Sequence, residues 1–545
     1  MSPTDWRSWS ALFAAMIFLT YSAAADCDSP QDPAAAILDC TQSINSGKWK
    51  GRYLAAFYTN RAAAYHEQGD NDRAIADLNE AIRLDPKLAM AFNNRGAAYN
   101  EQGDNDRAIA DYNEAIRIDP KLAMAFSNRG NAYNDKGDPD RAIADFNEAI
   151  RLDPKFAMAF QNRGSAYHDK GDNDRAIADY NEAIRLEPKH AKAFLGRGIA
   201  YSDKGDNDRA IADFNEAVRL DPKSAMAFDK RGSAYHDEGD NDRAIADYDE
   251  AIRLDPERAM AFNHRGYAYS DKGDNDRAIA DFNEAIRLNP KSGMAFHNRG
   301  VAYLEKGELD RAIADYSEAI RIDPEDASAF NGRGFAYRAK GDPDRAIADY
   351  NEAIRLDPKS GKAFVGRGEV FSDRGDPDRA IADYNEAIRL NPKSSMAYFA
   401  RGRSYLFAGS VEKALADFNE ASVHAPENAY LALWVDIVSR RNNLPSRLAQ
   451  TSSRIDMTAW PAPVIKLFMD QMTPAALLAA ADDPDATRKK GQICEANFYS
   501  GELSLTKGLK DEATRLFRLA ASDCPHSFNE WDAANAELKA LGVVP

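Results

Sequence analysis

Residues from which catalytic and metal centres are usually assembled are scarce in this sequence. Its 545 residues include eight histidines and four cysteines. No two histidines form a His-x3-His pair. His264 and His297 fall in neighbouring repeats, but two ligands leave a tetrahedral metal site half built. There is no Gly-x-Ser-x-Gly elbow, no phosphate-cradling glycine loop and no zincin helix. Acidic runs such as Asp104-Asn105-Asp106 lack the later glycine and glutamate of a calcium loop. Residues 429–493, the longest irregular stretch, hold neither histidine nor cysteine. An enzyme, a cofactor and a resident metal are therefore not expected.

Basic residues are in deficit, with 70 Lys and Arg against 87 Asp and Glu, for a net charge of −17. A surface of that sign repels phosphate, so nucleic acid is not an expected partner. Long apolar runs are missing too. The best, Trp9 to Tyr21, is shorter than the roughly 20 residues a helix needs to span a bilayer. Arg7 precedes it, and Ala23-Ala24-Ala25 follows before Asp26. Residues 1–25 read as a cleaved signal peptide, with an uncleaved anchor as the alternative, and the mature chain has no integral span. The expected location is the bacterial periplasm or the extracellular space. Cys27 follows Asp26, a context unsuited to lipidation.

What fills the chain is one text copied repeatedly. Ala89 to Leu122 reads AMAFNNRGAAYNEQGDNDRAIADYNEAIRIDPKL, and Ala123 to Phe156 restarts it as AMAFSNRGNAYNDKGDPDRAIADFNEAIRLDPKF. Eleven 34-residue units tile 55–428 without insertion or deletion. In each unit apolar and small residues (Phe92, Gly96, Ala98, Tyr99) recur at helical spacing. Gly103 then suits a left-handed helix end, and Asp104 an N-cap. Pro139, Pro343 and Pro377 mark the first position of the next helix, where proline costs no hydrogen bond. Ala108, Ile109, Tyr112, Ala115, Ile116 and Ile118 form the apolar stripe of that second helix. The unit is thus a helix hairpin. Arg95 and Asp111, repeated in register, are expected to form an ion-pair ladder within the units.

The unit resembles the tetratricopeptide repeat (TPR). Phe92, Gly96, Tyr99, Ala108, Tyr112 and Pro120 fill the family's Trp, Gly, Tyr, Ala, Phe and Pro places, while Arg95 replaces its Leu. The resemblance implies an all-α protein: a right-handed α/α superhelix, or TPR solenoid, of stacked hairpins. Its concave groove would bind proteins or peptides.

The ends are less regular. Asp32-Pro33 and the following Ala36-Ile37-Leu38 suggest an orphan second helix, so 26–54 reads as a capping half-repeat. Residues 429–493 form an irregular helical segment, and 494–545 a diverged repeat with a closing helix from Asn529. Cys27 and Cys40 flank the first cap, whereas Cys494 and Cys524 begin and end a helix hairpin. Disulfides Cys27–Cys40 and Cys494–Cys524 are expected in an oxidising compartment. The runs YLALWVDIVSRR (Tyr430 to Arg441) and EANFYSGELSLTKGLKDEATRLFRLAASDCPHSFNEW (Glu495 to Trp531) resemble the C-terminal part of the periplasmic TPR lipoprotein NlpI. That resemblance implies a periplasmic adaptor that brings cell-wall hydrolases to a processing protease.

Places free to vary between repeats are expected to line the groove. The fifth and ninth places run from Asn and Ser in the early repeats to apolar residues later. Leu195, Ile199, Tyr267, Val301, Leu304, Phe335 and Val365 are the candidate anchors for partners. Asn131, Asn162 and Lys192 occupy three places of a carboxylate clamp found in some peptide-binding TPR domains. Ser127 and Gly196 stand where that clamp needs a Lys and an Arg. The function expected is a non-catalytic adaptor of the envelope. The alternative is a structural protein that assembles with copies of itself, and a homodimer is compatible with both.

Overall fold

The computed structural model describes residues 32–524 and 528–543. The expected signal peptide and Cys27 lie outside the described residues. Thirty α-helices, α1–α30, and no strand occur among the described residues. The chain forms two compact units, one ending at Ala268 and one beginning at Tyr269.

Helix α1 (Pro33–Asn45) opens on Asp32, whose carboxylate accepts from the Ala34 and Ala35 amides at 3.0 and 3.2 Å. Then come the hairpins. The first pairs α2 (Arg52–Glu67) with α3 (Asn71–Leu84), the second α4 (Ala89–Glu101) with α5 (Asn105–Ile118). The alternation runs on, even-numbered first helices and odd-numbered second helices, to α22 (Ser395–Phe407) and α23 (Val411–His424).

Each hairpin follows from its text. The Asp104 carboxylate accepts from the Arg107 amide at 3.0 Å, and Gly103 turns the chain at φ 77°. At Gly96 an added Cβ would lie 2.7 Å from the Tyr112 ring, so only glycine lets the two helices approach this closely. Ala98, Ala108, Tyr112 and Ala115 are fully buried there.

The arginine that departs from the TPR pattern has a structural task. Arg95 donates from Nε and Nη2 to both Asp111 oxygens at 2.7 Å, closing its own hairpin. Its Nη1 donates to Asn79 of the preceding repeat, also at 2.7 Å. Arg163 repeats the pattern with Asp179 and Asn147, and Arg333 with Asp349 and Ser317. One guanidinium thus ties two repeats, with a bidentate geometry that lysine cannot supply.

Beyond the repeats lie α24 (Ala429–Arg441), α25 (Leu448–Thr451), α26 (Ala462–Phe468), α27 (Pro474–Ala480), α28 (Ala486–Thr506), α29 (Lys510–Asp523) and α30 (Asn529–Ala540). Helix α28 begins before Cys494, where the sequence places the diverged hairpin. Asp485 moves the start forward, accepting from the Arg488 amide at 2.8 Å. These helices share one core with the last repeat, built on Phe418, Trp434, Phe468, Phe498, Tyr499 and Phe517. Cys494 and Cys524 are disulfide-bonded with Cα atoms 5.0 Å apart. Cys40 is also disulfide-bonded.

Candidate functional site

Phe160 and Tyr167, at the fourth and eleventh places of their repeat, pack on Ala176, Tyr180 and Ala183 of the second helix. Successive residues of a helix turn by about 100°, so the second, fifth, ninth, twelfth and thirteenth places share the opposite face. That first-helix face is the candidate binding surface.

Most of the fifth place is buried beneath this face, with only His297, Asn331 and Phe399 half-buried. Asn93, Ser127, Gln161, Leu195, Asp229, Asn263 and Val365 are all buried. They sit at the joint between consecutive first helices, where Asn128 donates to Asn93 at 3.0 Å. Leu195 packs with Phe214 and Ala227, and Val365 with Tyr384 and Ala397. Both expected anchors are core residues. Asp229 is held at about 2: burial opposes its charge, but the His264 hydrogen bond at 2.8 Å and Arg258 outweigh it.

The ninth place is more open. Tyr267 is 47% exposed and Phe335 43%. The Tyr267 ring stands 5.0 Å from that of His236. Ile199, Val301 and Leu304 are half-buried, leaning on the hairpin cores beneath them. The clamp residues Asn131, Asn162 and Lys192 lie half-buried on the first helices of three successive repeats. At Gly196 an added Cβ would lie 2.5 Å from Tyr180 Cζ, so the arginine that a clamp needs there has no room.

Two rows of this face escaped a search for variable places. The second place is a repeated methionine, exposed at Met260 and, in the other unit, at Met294 and Met396. The thirteenth place is acidic throughout the first unit: Glu67, Glu101, Asp135, Asp169, Asp203 and Asp237. Twelfth-place residues link this row from repeat to repeat. Asn100 donates to Asp135 and Asn134 to Asp169, both at 3.0 Å, and His168 meets Asp203 at 2.8 Å. The Asp203 and Asp237 side chains remain 51% and 57% exposed.

In the second unit the same face meets the end of the chain. Asp532 of α30 lies 3.5 Å from Arg338, on α18 (Ala327–Ala339), and 3.6 Å from Arg403 on α22. Arg338 also pairs with Glu369 at 2.5 Å and Asp373 at 2.7 Å, both on α20 (Gly361–Asp373). Over repeats 9–11, then, part of the expected groove is taken up by the chain's own closing helix. The sequence predicts a closing helix from Asn529 but carries no sign of this contact with repeats 9 and 11.

Among the described residues no cluster of three or more His, Cys, Asp or Glu could hold a metal ion. No helix among them is long and apolar enough to cross a membrane.

A family model described as TPR repeat matches residues 62–103, 96–137, 130–171, 232–273, 266–307 and 300–341. Models described as tetratricopeptide repeat match 162–225, 365–429 and 327–360. Similar solved structures include the APC/C hetero-tetramer Cut9–Hcn1, at 14% identity over 74% of this chain and 93% of that one, with a TM-score of 0.44. Yeast Tom70 matches at 17% identity over 74% and 99%, with a TM-score of 0.38. YrrB, described as a TPR protein with an unusual peptide-binding site, matches at 24% over 34% and 97%, with a TM-score of 0.30. None of the three family models reaches past residue 429, so the likeness to NlpI remains one of sequence. The matched segments span more than half of the chain, and it belongs to the tetratricopeptide-repeat family, a family of protein-interaction scaffolds.

Proposed function

We propose that this chain is a non-catalytic adaptor of the cell envelope that holds partner polypeptides along its first-helix face. The observation that carries the reading is the composition of that face in repeats 5–7. Ile199, Met260 and Tyr267 offer apolar surface beside the exposed carboxylates of Asp203 and Asp237. Methionine and tyrosine suit adaptable contacts, and the acid row favours cationic segments. The envelope location rests on the leader-like residues 1–25 and on cysteines held as disulfides. The narrower role, bringing cell-wall hydrolases to a processing protease, rests on the resemblance to NlpI.

The test is a pull-down from envelope extract with the exported chain and with the variant Asp203→Asn/Asp237→Asn/Tyr267→Ala. The wild type should retain other polypeptides at stoichiometric levels, and less as salt rises. The variant should lose them while keeping its helicity. Recovery of little but the chain itself, or equal capture by both proteins, would sink the reading.

A further inference from the structure

Seven of the chain's twelve methionines hold the second place of a repeat, on the first-helix face. Their sulfurs are not equally placed. In repeats 2 and 3 the side chains of Met90 and Met124 are half-buried, and the Asn93 amide lies 4.0 Å from the first sulfur and 3.8 Å from the second. Asn93 is fully buried, so these two thioethers lean into the joint between first helices. Further along, the row turns outward. Met260 is 39% exposed, Met294 55% and Met396 60%. They stand on α14 (Ala259–Asp271), α16 (Gly293–Glu305) and α22.

Met260 precedes Tyr267 on α14 by seven residues, about two turns, so both side chains emerge from one face. A thioether is apolar and adaptable, but its sulfur keeps a lone pair that an oxidant can reach when the side chain is exposed. Thiols are the usual competitors for an oxidant, and among the described residues no cysteine is free.

We propose that Met260, Met294 and Met396 are oxidation sites of the first-helix face: a peroxide converts their thioethers to sulfoxides and turns the face from apolar to polar while the repeats stay folded. The sulfur lone pair attacks one peroxide oxygen. The O–O bond breaks as the S–O bond forms, sulfur gives up two electrons, and hydrogen peroxide is reduced to water. The reverse step takes two electrons from the dithiol of a sulfoxide reductase and releases the oxygen as water. At these three places the new oxygen accepts from solvent, so no hairpin core loses packing. Sulfoxides at Met90 and Met124 fall instead against a buried joint. The consequence for partners rests on the adaptor reading, because a polar face offers less apolar contact beside Tyr267, but the chemistry does not.

Limited treatment of the full chain with hydrogen peroxide, followed by peptide mass mapping, measures the rate at each methionine. Met260, Met294 and Met396 should oxidise at least about threefold faster than Met90 and Met124. At the dose that oxidises only these three, helicity and thermal unfolding should be unchanged, and retention on a hydrophobic-interaction column should fall. Met260→Gln/Met294→Gln/Met396→Gln should reproduce that fall without peroxide. Met260→Leu/Met294→Leu/Met396→Leu keeps an apolar side chain that takes up no oxygen, and peroxide at the same dose should leave its retention unmoved. Equal rates at all five methionines, a loss of helicity that tracks oxidation of the three, unchanged retention, or an equal fall in the leucine variant would overturn the proposal. No partner enters these readouts, so failure of the adaptor reading and failure of the oxidation sites are distinguishable.

Discussion

In the repeats a buried carboxylate has a guanidinium of its own. Asp111, Asp179 and Asp349 each take two hydrogen bonds from one arginine, and that arginine keeps a third donor for the neighbouring repeat. In the C-terminal cap, Arg441 serves two glutamates, and Glu495 is held by neutral donors alone. The cores differ in the same sense. In most hairpins the fully buried centre is alanine around one second-helix ring, such as Tyr112, whereas the cap is built on a cluster of large rings around Trp434. A repeat must satisfy the same neighbours each time, so its charges balance locally. The cap meets contacts that occur once, and there charge can be left in excess where it responds to conditions.

The comparison breaks most severely if the cap is not an independent source of stability. Trp434→Ala empties the centre of the cap, at an expected cost of about 3–5 kcal/mol. Denaturant unfolding should then show the cap melting early while helical signal from the repeats persists. A single transition shifted as a whole would mean that the two regions do not separate.

Arg163→Leu restores the leucine of the family pattern but strands Asp179 and Asn147. Because Arg163 is partly exposed, we expect a loss of about 2 kcal/mol, below the range for fully buried pairs. Adding Asp179→Leu should recover most of it, as measured by thermal unfolding. No loss in the single variant would show the ladder to be ornamental.

The effect of pH should be smaller and confined to one region. Glu495 and Glu502, raised to about 7, stabilise the cap in acid and withdraw that support as pH rises past neutrality. The cap transition should weaken by about 1–2 kcal/mol between about pH 6 and 8.5, with the repeat transition unmoved. The smallest effect on stability belongs to Tyr267→Ala. An exposed side chain there should change it by less than about 0.5 kcal/mol while reducing partner capture.

Local texts carried the fold. Gly103 and Asp104 mark a turn, Gly96 a close approach and Ala108 to Ile118 a stripe, so each hairpin is legible within its own repeat. The Arg95–Asp111 pair was legible for the same reason, but its bond to Asn79 was not, because it joins two repeats. The site was read less well. Leu195 and Val365 vary between repeats because each fits a different neighbouring helix, and not because solvent tolerates them. The second-place methionines and thirteenth-place acids vary little, and so passed for helix text. No period could announce that Asp532 meets Arg338 and Arg403, since the closing helix occurs once.

The account turns on whether the first-helix face holds other polypeptides. A photo-crosslinking residue placed at Tyr267, in cells that export the chain, asks this most directly, with the buried Tyr112 as the control position. The account predicts crosslinks to other envelope polypeptides from position 267 and none from 112. Crosslinks only to copies of the chain itself, or none from a folded protein, would contradict it.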